Sequence, residues 1–291
     1  MRALSGHTQP FAVLGHPIGH TLSPVMHNAA FGALGMDAIY LAFDVAPERL
    51  MQVLPAMRDM GFRGVNLTVP LKEVAFRGFA NLDDGARLLG AVNTVQFLPD
   101  GLKGYNTDGK GFLRAVAEAF DLTVRGKSLF LLGCGGAGRA VAITAAREGA
   151  AHLCLADIDP ARPQRLAAEI ASVASGVKLE TVSLDAGSWI QKVRQADLVV
   201  QASPVGMKPT DLCPIPPDAF RAGQMAFDLV YNLPETCFMR ATAAGGARAV
   251  NGLGMLLHQG AEAFSLWTQQ PAPVEIMRGA LTAALYQQGG K

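Results

Sequence analysis

A two-domain α/β protein is predicted from three features of the sequence. Short apolar, β-branched or aromatic runs alternate with helical patterns along all 291 residues, as they do when helices cover a sheet. The runs are nearly continuous rather than alternating in polarity, which suits strands buried on both faces of a parallel sheet. The rhythm also changes along the chain. Residues 128–200 repeat strand, glycine turn, helix and strand, whereas residues 1–107 carry most of the polar residues that interrupt apolar runs. The expected division is an α/β domain over 1–107, a second over 108–251, and a helical segment over 252–291 that packs back on the first.

The elements follow in order. Strands are expected within 10–15 (PFAVLG), 38–45 (AIYLAFDV), 64–69 (GVNLTV), 91–98 (AVNTVQFL), 128–133 (SLFLLG), 152–157 (HLCLAD), 196–203 (ADLVVQAS) and 225–230 (MAFDLV). Helices are expected within 47–61, 138–150, 160–174 and 251–267. Pro47 and Gly61 frame the first of these, following the preference for proline at a helix start and glycine past its end. Pro55 inside it should kink or split it. Asp100-Gly101, between two extended segments, signals a hairpin.

Composition narrows the function. The chain is 50% hydrophobic and 17% charged, with 25 basic and 24 acidic residues for a net charge of +1. Without a basic block or an acidic tail, nothing points to nucleic acid or an anionic membrane. The N-terminus lacks a signal-peptide pattern, and no run approaches about 18 uninterrupted apolar residues. Cys134, Cys154, Cys213 and Cys237 show no paired spacing and read as reduced thiols of a cytoplasmic protein. The histidines show no metal-binding spacing, and His16 and His20 read as loop residues, so no metal is expected.

The clearest motif is Gly133-Cys134-Gly135-Gly136-Ala137-Gly138, a G-x-G-x-x-G match. It follows a strand pattern and opens a helix pattern, the context in which it binds a dinucleotide. Its glycines permit a tight turn and close approach to a pyrophosphate, and the helix N-terminus supplies N–H groups. Asp157 closes the next strand about 20 residues on, where an acid hydrogen-bonds the adenosine ribose. Asp159, just before Pro160, fits a helix-capping role.

Four stretches of the first domain are hard to explain by folding alone. In GHPIGHTLSPVMHN, the hydroxyls of Thr21 and Ser23 either cap a helix starting near Pro24 or bind a carboxylate at its positive end. In GVNLTVPLKE, Asn66 and Thr68 occupy alternate strand positions and should share a face. Lys72 falls in the first turn of the helix after Pro70, where a cation opposes the macrodipole; it is either a surface lysine or a functional one. Asn93 interrupts an apolar strand. Asp108, in YNTDG, is either an N-cap or a functional acid.

Taken together, GHPIGHTLSPVMHN, VNLTVPLKE, GAVNT, YNTDG, GCGGAG, ASPVGM, DLVYNLPET and NGLGMLLHQ resemble the shikimate dehydrogenase family over essentially the whole chain. The resemblance implies an N-terminal substrate domain, a Rossmann-type dinucleotide domain, and hydride transfer between a nicotinamide cofactor and 3-dehydroshikimate or shikimate. It implies that Lys72 and Asp108 are the catalytic pair; the sequence leaves open which of them moves the proton, and the reading adopted has Lys72 as the principal acid/base and Asp108 as its partner. Thr21 and Ser23 match carboxylate-binding hydroxyls. Asn66, Thr68, Asn93, Tyr231 and Gln259 match residues around the ring hydroxyls. Ser203, Gly252 and Met255, in ASPVGM and NGLGM, join the cofactor side.

The chain departs from the common NADP-dependent pattern after the second Rossmann strand. Where those members carry Asn-Arg-Thr, it has Asp157-Ile158-Asp159. A phosphate-clamping arginine is replaced by Ile158, and two carboxylates repel a 2′-phosphate. NAD is therefore expected over NADP, with Arg162 leaving residual NADP use. Thr21 stands where serine is usual, which narrows the carboxylate pocket. Shikimate is the expected substrate, NAD-dependent quinate/shikimate catabolism the alternative, and a non-catalytic shikimate-binding regulator a more distant one. The expected partner is a small-molecule substrate; the oligomeric state, monomer or homodimer, is not legible in the sequence.

Overall fold

The structure is a computed structural model that describes residues 4–185, 187 and 189–287. The end of the expected helical segment, 288–291, lies outside the described residues. The chain forms two compact units, Met1–Thr107 with Leu257–Lys291, and Asp108–Leu256.

The first unit is built on β1 (Gln9–Gly15), β2 (Ala38–Asp44), β3 (Gly64–Leu67), β4 (Thr94–Leu98) and β5 (Gly101–Tyr105), in spatial order β2-β1-β3-β4-β5. β1 is parallel to β2 and β3, but β3–β4 and β4–β5 are antiparallel. The sheet is therefore mixed, which corrects the expectation of a parallel one for this half of the chain. Leu98 pairs with Gly101, so the turn is Pro99-Asp100, and so short a link joins only antiparallel strands. Two polar residues fall just outside their expected strands. β3 ends at Leu67, before Thr68, and β4 begins after Asn93.

Its helices are α1 (Ser23–Ala33), α2 (Leu50–Asp59), α3 (Leu71–Gly78) and α4 (Asp84–Leu89). α1 buries Ser23, Met26, His27, Ala30 and Phe31, the stripe expected of a helix laid on a sheet. α2 runs through Pro55 unsplit, preceded by a 3₁₀ turn over Pro47–Arg49. Pro55 and Met51 both lie on the exposed side, where water can take the carbonyl that proline cannot bond. That position removes the reason to break the helix.

The second unit contains α5 (Asp108–Phe120), β6 (Ser128–Leu132), α6 (Gly136–Arg147), β7 (His152–Ala156), α7 (Ala161–Val173), β8 (Lys178–Val182), α8 (Trp189–Gln195), β9 (Leu198–Gln201), β10 (Met225–Asp228), α9 (Cys237–Ala244) and β11 (Arg248–Val250). Its strands are all parallel, in the order β11-β10-β9-β6-β7-β8. This is the doubly wound Rossmann arrangement, whose order reverses between β6 and β9. Ligands of such sheets bind at the carboxyl ends of the strands flanking that reversal. The glycine loop follows β6, and Ser203 follows β9.

The chain then enters α10 (Leu253–Thr268), within which it returns to the first unit at Leu257, and α11 (Val274–Thr282). α11 packs on α1. From α10, the Trp267 indole donates to the Val95 carbonyl at 3.0 Å, and Phe264 packs against Phe31 at 5.4 Å between ring centroids. Among the described residues, no helix is long and apolar enough to cross a membrane.

Candidate active site

The loop between β6 and α6 is shaped by what its glycines touch. Gly133 has φ +102, and a Cβ there would meet the Ser203 nitrogen at 2.6 Å. A Cβ on Gly138 would lie 1.9 Å from the Gly133 carbonyl oxygen. Both positions bring backbone against backbone, so a side chain has no room. Gly135 and Gly136 differ, since a Cβ on either would meet nothing within 4 Å. Gly135 caps α6 with no side-chain bond, and Gly136 and Ala137 are the first residues of the helix. Open space over an uncapped helix start is the environment a pyrophosphate requires. The residues present fit a dinucleotide.

Asp157 directly follows β7, just outside its expected strand, and is buried. Its Oδ2 accepts the Cys134 N–H at 2.7 Å, and its Oδ1 accepts the Asp159 N–H at 2.9 Å. The carboxylate therefore organises the glycine loop from below while retaining lone pairs for a ribose hydroxyl. Burial, together with the Asp157 charge, pushes the Cys134 thiol up to about 12, which keeps it protonated. Asp159 accepts the Ala161 N–H at 3.0 Å at the start of α7. Arg162 lies 3.8 Å from Asp157 and 3.5 Å from Asp159, and Arg165 lies 3.7 Å from Asp159. Between the two acids, Ile158 is 91% exposed. Ser203 sits against Gly133, its N–H bonded to Gln201 Oε1 at 2.8 Å.

In the first unit three of the predicted substrate residues, Asn66, Asn93 and Gln259, are joined by one network of polar contacts, while Thr21 and Ser23 meet each other at the start of α1. The N-cap residue of α1, Leu22, makes no side-chain cap bond, but the Thr21 hydroxyl accepts the Ser23 N–H at 3.4 Å, a long contact. The Thr21 hydroxyl also faces that of Ser23 at 3.4 Å. The Tyr40 hydroxyl donates to Asn66 Oδ1 at 2.6 Å. Asn66 Nδ2 donates to Thr94 Oγ1 at 3.0 Å and to the Asn93 carbonyl at 3.1 Å. Thr94 donates to Asn93 Oδ1 at 2.9 Å. Asn93 Nδ2 donates to Thr107 Oγ1 at 2.9 Å and reaches Gln259 Oε1 at 3.4 Å.

The match to known proteins spans the chain. Residues 13–95 fit the model of the shikimate dehydrogenase substrate binding domain, and residues 252–282 that of the shikimate 5′-dehydrogenase C-terminal domain. A shikimate dehydrogenase (NADP(+)) of Moorella thermoacetica is 46% identical over 281 residues, covering 96% of this chain and 94% of its own. That of Methanopyrus kandleri is 44% identical over 281 residues, covering 96% and 97%. The chain belongs to the shikimate dehydrogenase family. Among solved members, the Listeria monocytogenes shikimate 5-dehydrogenase in complex with shikimate and NAD superposes with TM-score 0.90 at 33% identity, covering 97% of this chain and 99% of that one.

The remaining residues singled out by the shikimate dehydrogenase motifs fall at element ends. Lys72 lies in the first turn of α3 and is half-buried, its carbonyl accepting the Val92 N–H at 2.9 Å. Thr68 follows β3, its N–H bonded to the Leu14 carbonyl at 2.9 Å. Asp108 is the first residue of α5 and of the second unit. Tyr231 follows β10, and burial raises its phenol above the ordinary range. Gly252 is packed so closely that a Cβ would meet the Leu229 carbonyl at 2.3 Å. Met255 lies in the first turn of α10. Tyr40, Thr94 and Thr107 were not legible as part of the site. Each is an ordinary strand or loop residue until its partners are brought up from elsewhere in the chain.

Proposed function

We propose that this shikimate dehydrogenase family member interconverts 3-dehydroshikimate and shikimate by hydride transfer, with NAD as its preferred nicotinamide cofactor. The observation that supports the substrate reading most is the polar network of Asn66, Asn93 and Gln259, in the unit that matches the family's substrate-binding model. Thr21 and Ser23 offer hydroxyls to the substrate carboxylate beside the positive end of α1. Asn66, Thr68, Asn93, Tyr231 and Gln259 engage the ring hydroxyls.

When bound, the nicotinamide supplies the hydride exchange. Lys72 donates a proton to the oxygen of the carbonyl being reduced, and its charge favours the developing alkoxide. In the reverse direction it receives that proton from the substrate hydroxyl. A cation in the first turn of α3 is disfavoured by the helix dipole, and proton transfer is what that placement would serve. Asp108 is the carboxylate member of the pair.

The corner after β7 supports NAD. Ile158 offers no donor to a 2′-phosphate, and Arg162 is already engaged by Asp157 and Asp159. Two like charges about 4 Å apart repel by roughly 1–4 kcal/mol, depending on screening. The test is steady-state oxidation of shikimate and of quinate by the purified protein with each cofactor. Shikimate with NAD should be the best pair. Faster turnover of quinate would redirect the substrate assignment, and no turnover of either acid would overturn the reading.

A further inference from the structure

The aromatic side of the first unit holds one phenol among the polar contacts described above. Tyr40 lies on β2, the edge strand of its sheet, and is 1% exposed. Two residues of α1 fix it. Asn28 bonds both backbone groups, donating to the Tyr40 carbonyl and accepting its N–H, each at 2.8 Å. The His27 ring stacks on the phenol ring with centroids 4.3 Å apart and planes 9° from parallel. Ser23 and His27 are four residues apart and so share a helix face, so the helix that grips Tyr40 also carries the Ser23 hydroxyl.

That hydroxyl then reaches across to β3. It donates to Asn66 at 2.6 Å, leaving the Asn66 amide to bond Thr94 and the Asn93 carbonyl. We infer that Tyr40 is a positioning residue for the substrate: held by Asn28 and His27 of α1 and bonded through its buried hydroxyl to Asn66 on β3, it joins the helix that carries Ser23 to the strand that carries Asn66, setting the spacing between the carboxylate-binding and ring-hydroxyl-binding groups. Tyr40 itself touches no reacting atom. His27 supports the frame through its ring face. Among the described residues neither of its buried ring nitrogens has a partner, and burial lowers it to about 3, so it is neutral.

This inference rests on the shikimate reading, and the variant Tyr40→Phe tests it separately. The substitution keeps the stacked ring and removes only the hydroxyl. Asn66 is assigned to a substrate group that does not react, so loosening it removes binding that ground and transition states share. The Michaelis constant for the hydroxy acid should rise about tenfold or more, with kcat within about threefold and the Michaelis constant for NAD within about twofold. His27→Phe keeps a ring on the phenol and should leave the hydroxy-acid constant within about twofold. A Tyr40→Phe enzyme with an unchanged hydroxy-acid constant, whatever its melting temperature, overturns the inference. So does a fall in kcat alone. Each variant is compared with the wild type on whichever hydroxy acid the wild type oxidises, so an error in the substrate assignment would show in the wild type and not in the ratio.

Discussion

Oδ2 of Asp157 accepts the backbone N–H of Cys134 at 2.7 Å. The contact ties the end of β7 to the glycine loop after β6, and Oδ1 ties in the Asp159 N–H at 2.9 Å. One buried carboxylate thus organises the surface on which a dinucleotide lies. Asp157→Ala leaves two backbone donors without their charged partner. Hydrogen bonds to charged groups contribute about 1.5–3 kcal/mol each, so chemical denaturation should show a loss of roughly 2–4 kcal/mol, with partial compensation by water. The Michaelis constant for NAD should rise while that for shikimate stays near the wild-type value.

The glycine loop predicts a contrast between two alanine variants. At Gly138 a Cβ would sit 1.9 Å from the Gly133 carbonyl oxygen, whereas at Gly136 it would meet nothing within 4 Å. Gly138→Ala should lower the melting temperature and abolish cofactor binding together. Gly136→Ala should leave the melting temperature within about 2 °C, since it fills open space on a helix. It should still weaken NAD binding, because that space is where the pyrophosphate is assigned. Thermal unfolding paired with titration of NADH separates the two outcomes.

Cofactor choice is assigned to Ile158 and Asp159. Ile158→Arg with Asp159→Thr supplies a donor for the 2′-phosphate and removes a repelling charge. The ratio of kcat/KM for NADP to that for NAD should rise by at least about tenfold, the equivalent of about 1.4 kcal/mol. Kinetics with both cofactors at saturating shikimate would show it.

Lys72 is assigned the proton. Lys72→Ala should reduce kcat by about 10²–10⁴, the range of a lost general acid or base, with a much smaller rise in the Michaelis constant for shikimate. Near-normal kcat in this variant would remove Lys72 from the mechanism.

Asp228, at the end of β10, is fully buried. Burial raises its carboxyl to about 6, opposed by bonds accepted from the Thr236 hydroxyl at 2.6 Å and the Val230 N–H at 3.0 Å. A carboxyl whose folded value lies above its unfolded one stabilises the native state fully at low pH. That contribution fades as pH rises from about 4 to about 6, by on the order of 3 kcal/mol. Asp228→Asn cannot titrate, so the stability of the wild type relative to this variant should fall across that window. A difference independent of pH would contradict the assignment.

What the sequence disclosed follows the range of the forces involved. Strands buried on both faces, such as β6, β7 and β9, are written as apolar runs. β8 and β11 are edge strands with partly exposed residues, and they carry no such run. The mixed direction of the first sheet hangs on Pro99-Asp100, because an apolar run alone says nothing of its partner's direction. Asp157 was legible through its spacing from the glycine loop. The engagement of Arg162 by two acids, and the link from Tyr40 to Asn66 on another strand, arise only once distant segments meet.

Preference for NAD is read directly from the kcat/KM of the purified wild-type protein for NAD and for NADP at saturating shikimate. Turnover is expected with both, with at least about a tenfold preference for NAD, equivalent to about 1.4 kcal/mol. Equal or better turnover with NADP would contradict it.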